Sequence, residues 1–465
     1  MTYKVKYLKN LPKSLWVRDL PGAPLSTSSY DGWRFEGRAE LTKKSAEIAY
    51  DLHSGLSKIS IPEFEDLSLV GMAATLAIHI KGLPEISYDV LRKVSEHMMG
   101  VPSIALKSAL EILDDIDFVR IVTEPNSKRP SKIIPNIPAF EDVYSVVGNY
   151  IESEAQFNEH ERAALYILGE LQEAPAKRDA LFGRSNLDKS VFDRCLQLGT
   201  QSGIVSEHQA RGRAVLISPF YFTDNLSGLA DAAAQSGSSA IKSALDKVKN
   251  NQGWPMALLD KRQEIGGSPV NPVEMALIHK LSEEGVIKPP TIKFGEVSQS
   301  FLFTPKPGEA RLNAANREIY ERAMALISAV RKGQLLADQY KIHHPVALLR
   351  SFRGKGYLRS NSEANLQYQN LVHLRVATLR RTSDSRWALH LNQTDENKRA
   401  LDLAIDLLSS GNMAGMEIDQ DARIALTKNE TYIQSLISAS EMKKRRTDIQ
   451  NTEAEHEFEQ LLLSL

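Results

Sequence analysis

Residues 343–360, "HHPVALLRSFRGKGYLRS", hold the side chains with the clearest capacity for chemistry in this sequence. Two adjacent histidines open the stretch, and it contains four cations: Arg350, Arg353, Lys355 and Arg359. Guanidinium and ammonium groups can neutralise phosphates, and glycines at 354 and 356 would let the backbone approach a phosphodiester closely. We therefore expect a phosphate-facing turn between two helices.

Other chemistries for the same stretch lack their companion residues. "FRGKG" has neither an apolar strand before it nor the Ser or Thr that a GxxxxGK[ST] phosphate loop requires. The side chains of His343 and His344 diverge on a helix or strand, and the chain contains no HExxH and no GxSxG. We expect no catalytic site, metal or cofactor. A cavity lined by several acids, or by both histidines with a carboxylate, would favour an enzyme instead.

The charge distribution points to the region around this stretch. The chain has a formal charge of −1, but Arg331 to His390 holds eleven Lys and Arg against three acids, or +8, and Leu391 to Leu465 holds eight against fourteen, or −6. A basic block of this kind can neutralise phosphates, and the alternatives are a solvated basic face or a dock for the acidic tail. The candidate nucleic-acid contacts in the block are Arg350, Arg353, Lys355, Arg359, Arg375, Arg380 and Arg381. Tyr357 and Phe352 are candidates for stacking on bases, and for Phe352 the favoured position is the core.

Upstream of the block, two segments share one order of elements. "LSLVGMAATLAIHIKG", "SYDVLRKVSEHMMG" and "PSIALKSALEILDDID" read as three helices, followed by two strands in "FVRIVTEPNSKRPSKIIP". In the second segment, "NEHERAALYILGELQ" has the capping-box spacing of Asn158 and Glu161. "AKRDALF" and "NLDKSVFDRCLQLG", capped by Asn186, follow as helices. "GIVSEHQARGRAVLISPFYF" then predicts a hairpin with a tight turn at Arg211 to Arg213.

This order of three helices and a hairpin resembles the winged-helix family, a helix-turn-helix variant with a β-hairpin wing. In that family the third helix enters the DNA major groove and the wing contacts the backbone. The resemblance would place Lys189 and Arg194 on the recognition helix of the second segment, and Arg211 and Arg213 on its wing.

We expect a mainly α fold with small β-hairpins, of the α+β class, in which tandem winged-helix-like domains are joined by helical linkers. In the later part, helical pieces joined by a flexible "QSGSS" precede the basic block, which is expected to continue as one capped helix over 361–381 and a strand in "RWALHLN". The expected divisions are an N-terminal arm (1–60), a first unit (61–150), a second unit (151–225), a helical linker (226–265), a basic winged-helix-like or helical third unit (266–410) and a C-terminal helical tail (411–465).

Composition limits the remaining possibilities. A hydrophobic fraction of 42% and a charged fraction of 25% are typical of globular proteins. The single cysteine, Cys195, allows neither an internal disulfide nor a cysteine-based metal site, and it lies on an apolar helical stripe that predicts a buried thiol. No signal peptide is recognisable, and no apolar run reaches the ~20 residues of a membrane span. We expect a cytoplasmic protein without membrane contact.

These observations predict a non-catalytic protein that binds double-stranded DNA, as a regulator or as the DNA-recognising subunit of a larger complex. The alternative is a protein-interaction scaffold, such as a kleisin-like or adaptor subunit of a chromosome-maintenance or anti-phage defence complex. Scattering of the basic residues 350–386 around the fold would favour the scaffold. The C-terminal "TEAEHEFEQLLLSL" could bind a protein partner, and a homodimer stays open.

Overall fold

The computed structural model describes residues 28–56, 61–125, 129–138, 142–287, 292–294, 297–308, 311–313, 316–383, 385–411, 413, 415–428 and 433, with the backbone alone over 28–41 and 292–298. Most of these residues lie in α-helices, and the strands form antiparallel sheets of two or three strands. The expected mainly helical fold with small β-hairpins is therefore confirmed.

The first helix, α1 (Ser28–Leu56), occupies the described part of the expected N-terminal arm, and residues 1–27 lie outside the described residues. After it, a helix, a short strand, two helices and a strand pair follow one another in four segments, and the third segment has in addition a hairpin between its last two helices and one more strand. We call these repeats the first module (65–135), second module (159–217), third module (238–302) and fourth module (345–391).

The first module follows the sequence-based expectation closely. Its elements are α2 (Glu65–Ile80), β1 (Ile86–Ser87), α3 (Tyr88–Met98), α4 (Ser103–Asp115), β2 (Val119–Thr123) and β3 (Pro130–Pro135). The sheet order is β1-β3-β2, so the last strand lies in the middle. Helix α5 (Val143–Ser153), which Asp142 caps through the Tyr144 amide, leads to the second module.

The second module contains α6 (Glu159–Glu173), β4 (Ala176–Lys177), α7 (Arg178–Ser185), α8 (Lys189–Gln201), β5 (Ser206–Ala210) and β6 (Arg213–Ile217), with sheet order β4-β6-β5. The predicted capping box is confirmed, because Asn158 and Glu161 bond reciprocally to each other's backbone amides. The tight turn is confirmed by positive φ at both Arg211 and Gly212. The predicted cap of α8 is wrong: Asn186 ends α7 in the left-handed conformation, and Asp188 caps α8.

The segment expected to be a helical linker is largely packed. Helix α9 (Leu226–Ser236) is separated from the next helix by Gly237 alone, whose φ of 82° allows a sharp change of direction. The third module then contains α10 (Ser238–Lys249), β7 (Trp254–Pro255), α11 (Met256–Arg262), β8 (Glu264–Ile265), β9 (Ser268–Pro269), α12 (Pro272–Glu283), β10 (Ile292–Phe294), β11 (Val297–Gln299) and β12 (Phe301–Leu302). Because β12 pairs with β7, residues 238–255 are part of this module and no flexible joint is seen at "QSGSS".

The fourth module corrects the interpretation of residues 343–360 as a turn. After α13 (Arg317–Lys332), it contains α14 (Pro345–Lys355), β13 (Tyr357–Asn361), α15 (Ala364–Gln367), α16 (Gln369–His373), β14 (Ala377–Ser383) and β15 (Arg386–Leu391), with sheet order β13-β15-β14. Pro345 at the first helical turn and Gly356 in the left-handed C-cap position define α14, and Leu349 and Phe352 anchor it in the core. The single helix expected over 361–381 is also wrong, because two short helices and a strand fill that segment.

Three hydrophobic cores hold the modules together. The first joins α1, α5 and the first and second modules with α18 (Gln420–Leu426); beyond α18, the expected tail helix lies largely outside the described residues. The second core joins α13 and the fourth module with α17 (Asp395–Ser410). The third core joins α9 and the third module with strand residues of the second. Strand β6 is therefore buried on both faces, since Leu216 lies in the first core and Val215 in the third.

Candidate nucleic-acid interface

The sheet of the fourth module separates a core face from an outer face. Leu358, Leu379 and Leu389 pair across the three strands and pack into the core. Side chains alternate along a strand, so their neighbours point to the outer face. The outer face carries Tyr357 and Arg359 on β13, Thr378 and Arg380 on β14, and Arg386, Ala388 and His390 on β15.

An aromatic pair lies at one end of this outer face. The rings of Tyr357 and His390 stack with centroids 5.8 Å apart and planes inclined by 24°, and Tyr357 is 46% exposed. Burial lowers the pKa of His390, and the charge of Arg380 lowers it further, so the imidazole is neutral at neutral pH. The next rank of the face is cationic: Arg380 pairs with Ala388, and Arg359 lies on the opposite edge strand.

The cations of α14 face a different environment. Arg353 forms two bonds with the Asp402 carboxylate of α17, Nε to Oδ1 at 2.7 Å and Nη2 to Oδ2 at 3.0 Å. One turn further along α17, burial and the neighbouring Asp402 raise the pKa of Asp406, and the positive charge of Arg350 opposes that shift. Arg353 therefore serves helix packing, whereas Arg350 and Lys355 are exposed.

Two of the four cations predicted in the second module also form internal ion pairs. Arg194 of α8 contacts Glu63 Oε1 through Nε at 3.0 Å and Nη2 at 2.6 Å, and this bond lowers the pKa of Glu63. Arg211 in the hairpin turn binds both oxygens of Asp231 on α9. Lys189 at the start of α8 and Arg213 on β6 are exposed.

The predicted nucleic-acid residues thus fall into two classes. Arg194, Arg211 and Arg353 are ion-paired and Arg350 lies near an acid, while the remaining seven are exposed: Lys189, Arg213, Lys355, Arg359, Arg375, Arg380 and Arg381. Six of these seven, all except Arg381, form no ion pair with any carboxylate in the described part of the chain. Arg359 and Arg380 share the outer face of one sheet, and the others lie at helix ends, on a second strand or in loops.

Sequence reasoning missed one residue of this outer face. Phe352 is a core residue with 1% exposure, the position that the sequence favoured for it. His390 was not singled out, although the alternation of "RWALHL" would have placed it on the same face as Arg386. Arg386 donates through Nη2 to the Ser360 carbonyl at 2.7 Å, which ties β15 to β13 beside that face.

A cleft of about 1200 Å³ is lined by five acids: Glu47, Asp142, Glu173, Asp246 and Glu417. Two of them pair with lysines, since Lys43 contacts Asp142 at 2.7 Å and Lys44 contacts Glu173 at 2.5 Å. Glu417 accepts a hydrogen bond from the Tyr144 hydroxyl at 3.2 Å, and burial raises its pKa. Deeper in the wall, Arg311 holds the buried Asp51 at 2.7 Å. The lining is a network of ion pairs between modules, and no group of His, Cys, Asp and Glu in the described chain is arranged to hold a metal.

The remaining candidate residues have structural surroundings. His343 and His344 are exposed, and His344 precedes α14 as its N-cap residue without a side-chain cap bond. Cys195 is buried as expected, and burial raises the pKa of its thiol to about 12, which disfavours the reactive thiolate. None of the helices described here is both long enough and apolar enough to cross a lipid bilayer.

Comparisons with known proteins add no assignment. No protein-family model matches the chain, and neither a curated protein nor a solved structure matches it.

Proposed function

We propose that this protein is a non-catalytic, double-stranded-DNA-binding protein built of tandem winged-helix modules, acting as a regulator or as the DNA-recognising subunit of a larger complex. The resemblance rests on the recurring element order and on the strand order in which the last strand pairs with the short first strand. The four repeats replace the three units expected from the sequence. The fold resemblance alone carries no function, so the proposal rests on the charged surface.

The single observation that carries the proposal is the unbalanced positive charge of the fourth module. Lys355, Arg359, Arg375 and Arg380 are exposed and form no ion pair with a described carboxylate. Cations that serve only packing find acids in this protein, as Arg353 does with Asp402. Uncompensated cations repel one another, and their presence in one module is explained by an anionic partner such as the DNA backbone.

The second module supplies a further contact surface. Helix α8 exposes Lys189, Ser190 and Gln197 along one side, and Arg213 begins the second strand of its hairpin. In a winged-helix docking geometry this helix lies in the major groove, where glutamine reads base edges and lysine binds phosphate. The fourth module then binds a further part of the DNA backbone.

Fluorescence anisotropy with a labelled random-sequence duplex tests the proposal. We expect binding at low salt and a marked loss of affinity between about 50 mM and about 200 mM salt. Charge reversal of Lys355 and Arg375 together should weaken binding at least tenfold with an unchanged melting temperature. Absence of duplex binding by the wild type at low salt would contradict the proposal.

A second candidate function is the protein-interaction scaffold, and two observations favour it. The cations between residues 350 and 386 do not form one face, because Arg350, Arg353 and Lys355 lie on α14 and the others lie on the sheet or between elements. Ile104 on α4 and Val273 on α12 are 91% and 67% exposed, and both are the second residue of the third helix in their module. That position would face DNA in a winged-helix complex, yet here it is apolar. The first and third modules therefore suit protein partners, including a second copy of the chain. The scaffold is favoured if the wild type binds no duplex and if Ile104→Ser and Val273→Ser abolish self-association of the chain.

A further inference from the structure

The sheets of the second, third and fourth modules differ in what covers them. Helix α9 packs on β5 and β6, and α13 packs against β7, so the helix that follows each module covers its sheet. Helix α17, which follows the fourth module, packs mainly on α13 and α14 instead. On the outer face of the fourth sheet, Tyr357 is 46% exposed, whereas Ala388 at the centre of the face is only 6% exposed.

We propose that this outer face is a binding platform for single-stranded nucleic acid, on which an unpaired base stacks against Tyr357 while Arg359 and Arg380 hold the adjacent phosphates. The proposal rests on the proposed nucleic-acid function for the phosphate contacts, but it concerns a different ligand from the duplex. It also gives His390 a role, which is to support the ring of Tyr357.

The aromatic end of the platform has one face of the Tyr357 ring available for a base. His390 stacks under Tyr357 at 5.8 Å and fixes one face of the phenol ring, which leaves the opposite face for a ligand. The imidazole is neutral at neutral pH because burial and the charge of Arg380 lower its pKa. Thr378, exposed on the neighbouring strand opposite His390, completes the rank and can donate a hydrogen bond to a base edge.

The cationic part of the platform has a spacing that suits an extended strand. Arg359 and Arg380 stand on the two edge strands, two residues beyond Tyr357 and Thr378, and are separated by two strand spacings, or about 10 Å. A register shift between Leu358 and Asn361 places Arg359 at a bulge in β13. Between them lies Ala388, which is only 6% exposed because neighbouring side chains cover it. A chain crossing the sheet over Ala388 would meet one guanidinium on either side.

A single strand fits this chemistry better than a duplex. In a duplex the bases are stacked on each other, so an exposed aromatic ring on a flat sheet has no base face to contact. An unpaired strand offers base faces and phosphates together, and stacking tolerates any base sequence. Double-stranded DNA could use the arginines but would leave Tyr357 unused, and an acidic peptide could do the same.

Anisotropy titrations of the full chain with labelled oligothymidine and oligouridine test the platform, with a duplex measured in parallel. Tyr357→Ala should weaken single-strand binding about tenfold. Tyr357→Phe, which keeps the ring, should bind like the wild type, and duplex affinity should be unchanged in both variants. Comparison of the two oligonucleotides identifies the preferred sugar, and binding of either one supports the platform.

Photo-crosslinking of bromodeoxyuridine-substituted oligothymidine, followed by mass spectrometry, gives a readout that does not depend on affinity. We expect the adduct on the peptide that contains Tyr357. Equal single-strand affinity of the Tyr357→Ala and wild-type proteins, or an adduct confined to other modules, would overturn the platform while leaving duplex binding intact. If the wild type binds neither oligonucleotide, the platform is overturned. If it then binds a synthetic peptide of residues 451–465, and Tyr357→Ala abolishes that binding, the ligand of the face is an acidic peptide.

Discussion

Arg211 and Asp231 join the hairpin turn of the second module to the helix that follows it. The guanidinium contacts the carboxylate through two bonds, Nε to Oδ1 at 2.6 Å and Nη2 to Oδ2 at 3.2 Å. Lys280 of α12 donates to the same carboxylate at 2.6 Å. One acid thus holds a cation from each of two modules, and the turn that would touch DNA as a wing is engaged internally.

Asp231→Asn should release Arg211 and raise duplex affinity, because the freed guanidinium becomes available to phosphate. An Asp231→Asn, Arg211→Gln double variant is the control, and it should return affinity to the wild-type level or below. Anisotropy at a single low salt concentration measures both. An Asp231→Asn protein with wild-type affinity would show that this hairpin does not face DNA.

The same carboxylate should make stability depend on pH. Hydrogen bonds from Arg211 and Lys280 hold the pKa of Asp231 well below its usual range. A depressed folded-state pKa contributes stability above the unfolded value of about 3.9, and this contribution is lost as pH falls through the folded-state pKa. The melting temperature of the wild type should exceed that of Asp231→Asn at pH 7, and the difference should shrink at strongly acidic pH. A pH-independent difference would contradict an ionic role.

Arg353 and Lys355, two residues apart on α14, should respond oppositely to substitution. Arg353→Gln removes the pair with Asp402, so it should lower the melting temperature slightly and leave duplex affinity unchanged. Lys355→Gln should leave the melting temperature unchanged and reduce the salt dependence of duplex binding by about one phosphate contact. Thermal melts and salt titrations of both variants separate the two roles. The reverse pattern would place the DNA contact on Arg353.

Helix packing around α1 should be sensitive to a single methyl group. A Cβ on Gly148 of α5 would lie 2.1 Å from the Thr42 carbonyl oxygen, a backbone atom that cannot move aside cheaply. Gly148→Ala should cost about 1–3 kcal/mol of unfolding free energy. Gly183 on α7 is the matched control, since its Cβ would meet nothing within 4 Å and Gly183→Ala should stabilise the helix by about 0.5–1 kcal/mol. Denaturant melts measure both changes, and equal effects would contradict the close packing.

Burial of His53 in the first core should also make the fold sensitive to mild acid. Burial lowers its pKa to about 4, while its ring contacts the Met99 carbonyl oxygen at 3.3 Å. The folded state then holds His53 neutral, so its contribution is full above the unfolded pKa of about 6.5 and falls by about 3 kcal/mol as pH drops towards 4. Burial lowers the pKa of His79 as well, so the test is the difference between the wild type and His53→Gln. Parallel pH profiles of the two proteins would contradict the account.

Local signals in the sequence predicted much of the fold. The capping box at Asn158 and Glu161, the glycine-containing turn after Arg211 and the apolar periodicity of α2 and α4 are short-range patterns, and each lies where it was expected. The bounds of α14 were also written in the sequence, by Pro345 at its start and Gly356 at its end. The many cations in the same stretch favoured a phosphate-facing turn instead of this helix.

The rest depended on contacts between distant residues. The pairing of β7 with β12 joins residues some fifty positions apart, so "QSGSS" looked like a linker although it joins two packed helices, α9 and α10. Likewise, Arg194, Arg211 and Arg353 resemble free cations until the fold brings Glu63, Asp231 and Asp402 to them. Electrostatic availability is a tertiary property, which a count of charges along the chain cannot supply.

The salt dependence of duplex binding tests whether the fourth module binds DNA. Each phosphate neutralised contributes about −0.9 to the slope of log affinity against log salt concentration. Contacts from Lys355, Arg359, Arg375 and Arg380 contribute about −3 to −4 to the slope of the wild type, and replacement of all four by glutamine should remove that contribution. A wild-type protein that binds no duplex, or one whose slope is unchanged in the fourfold variant, would contradict DNA binding by the fourth module.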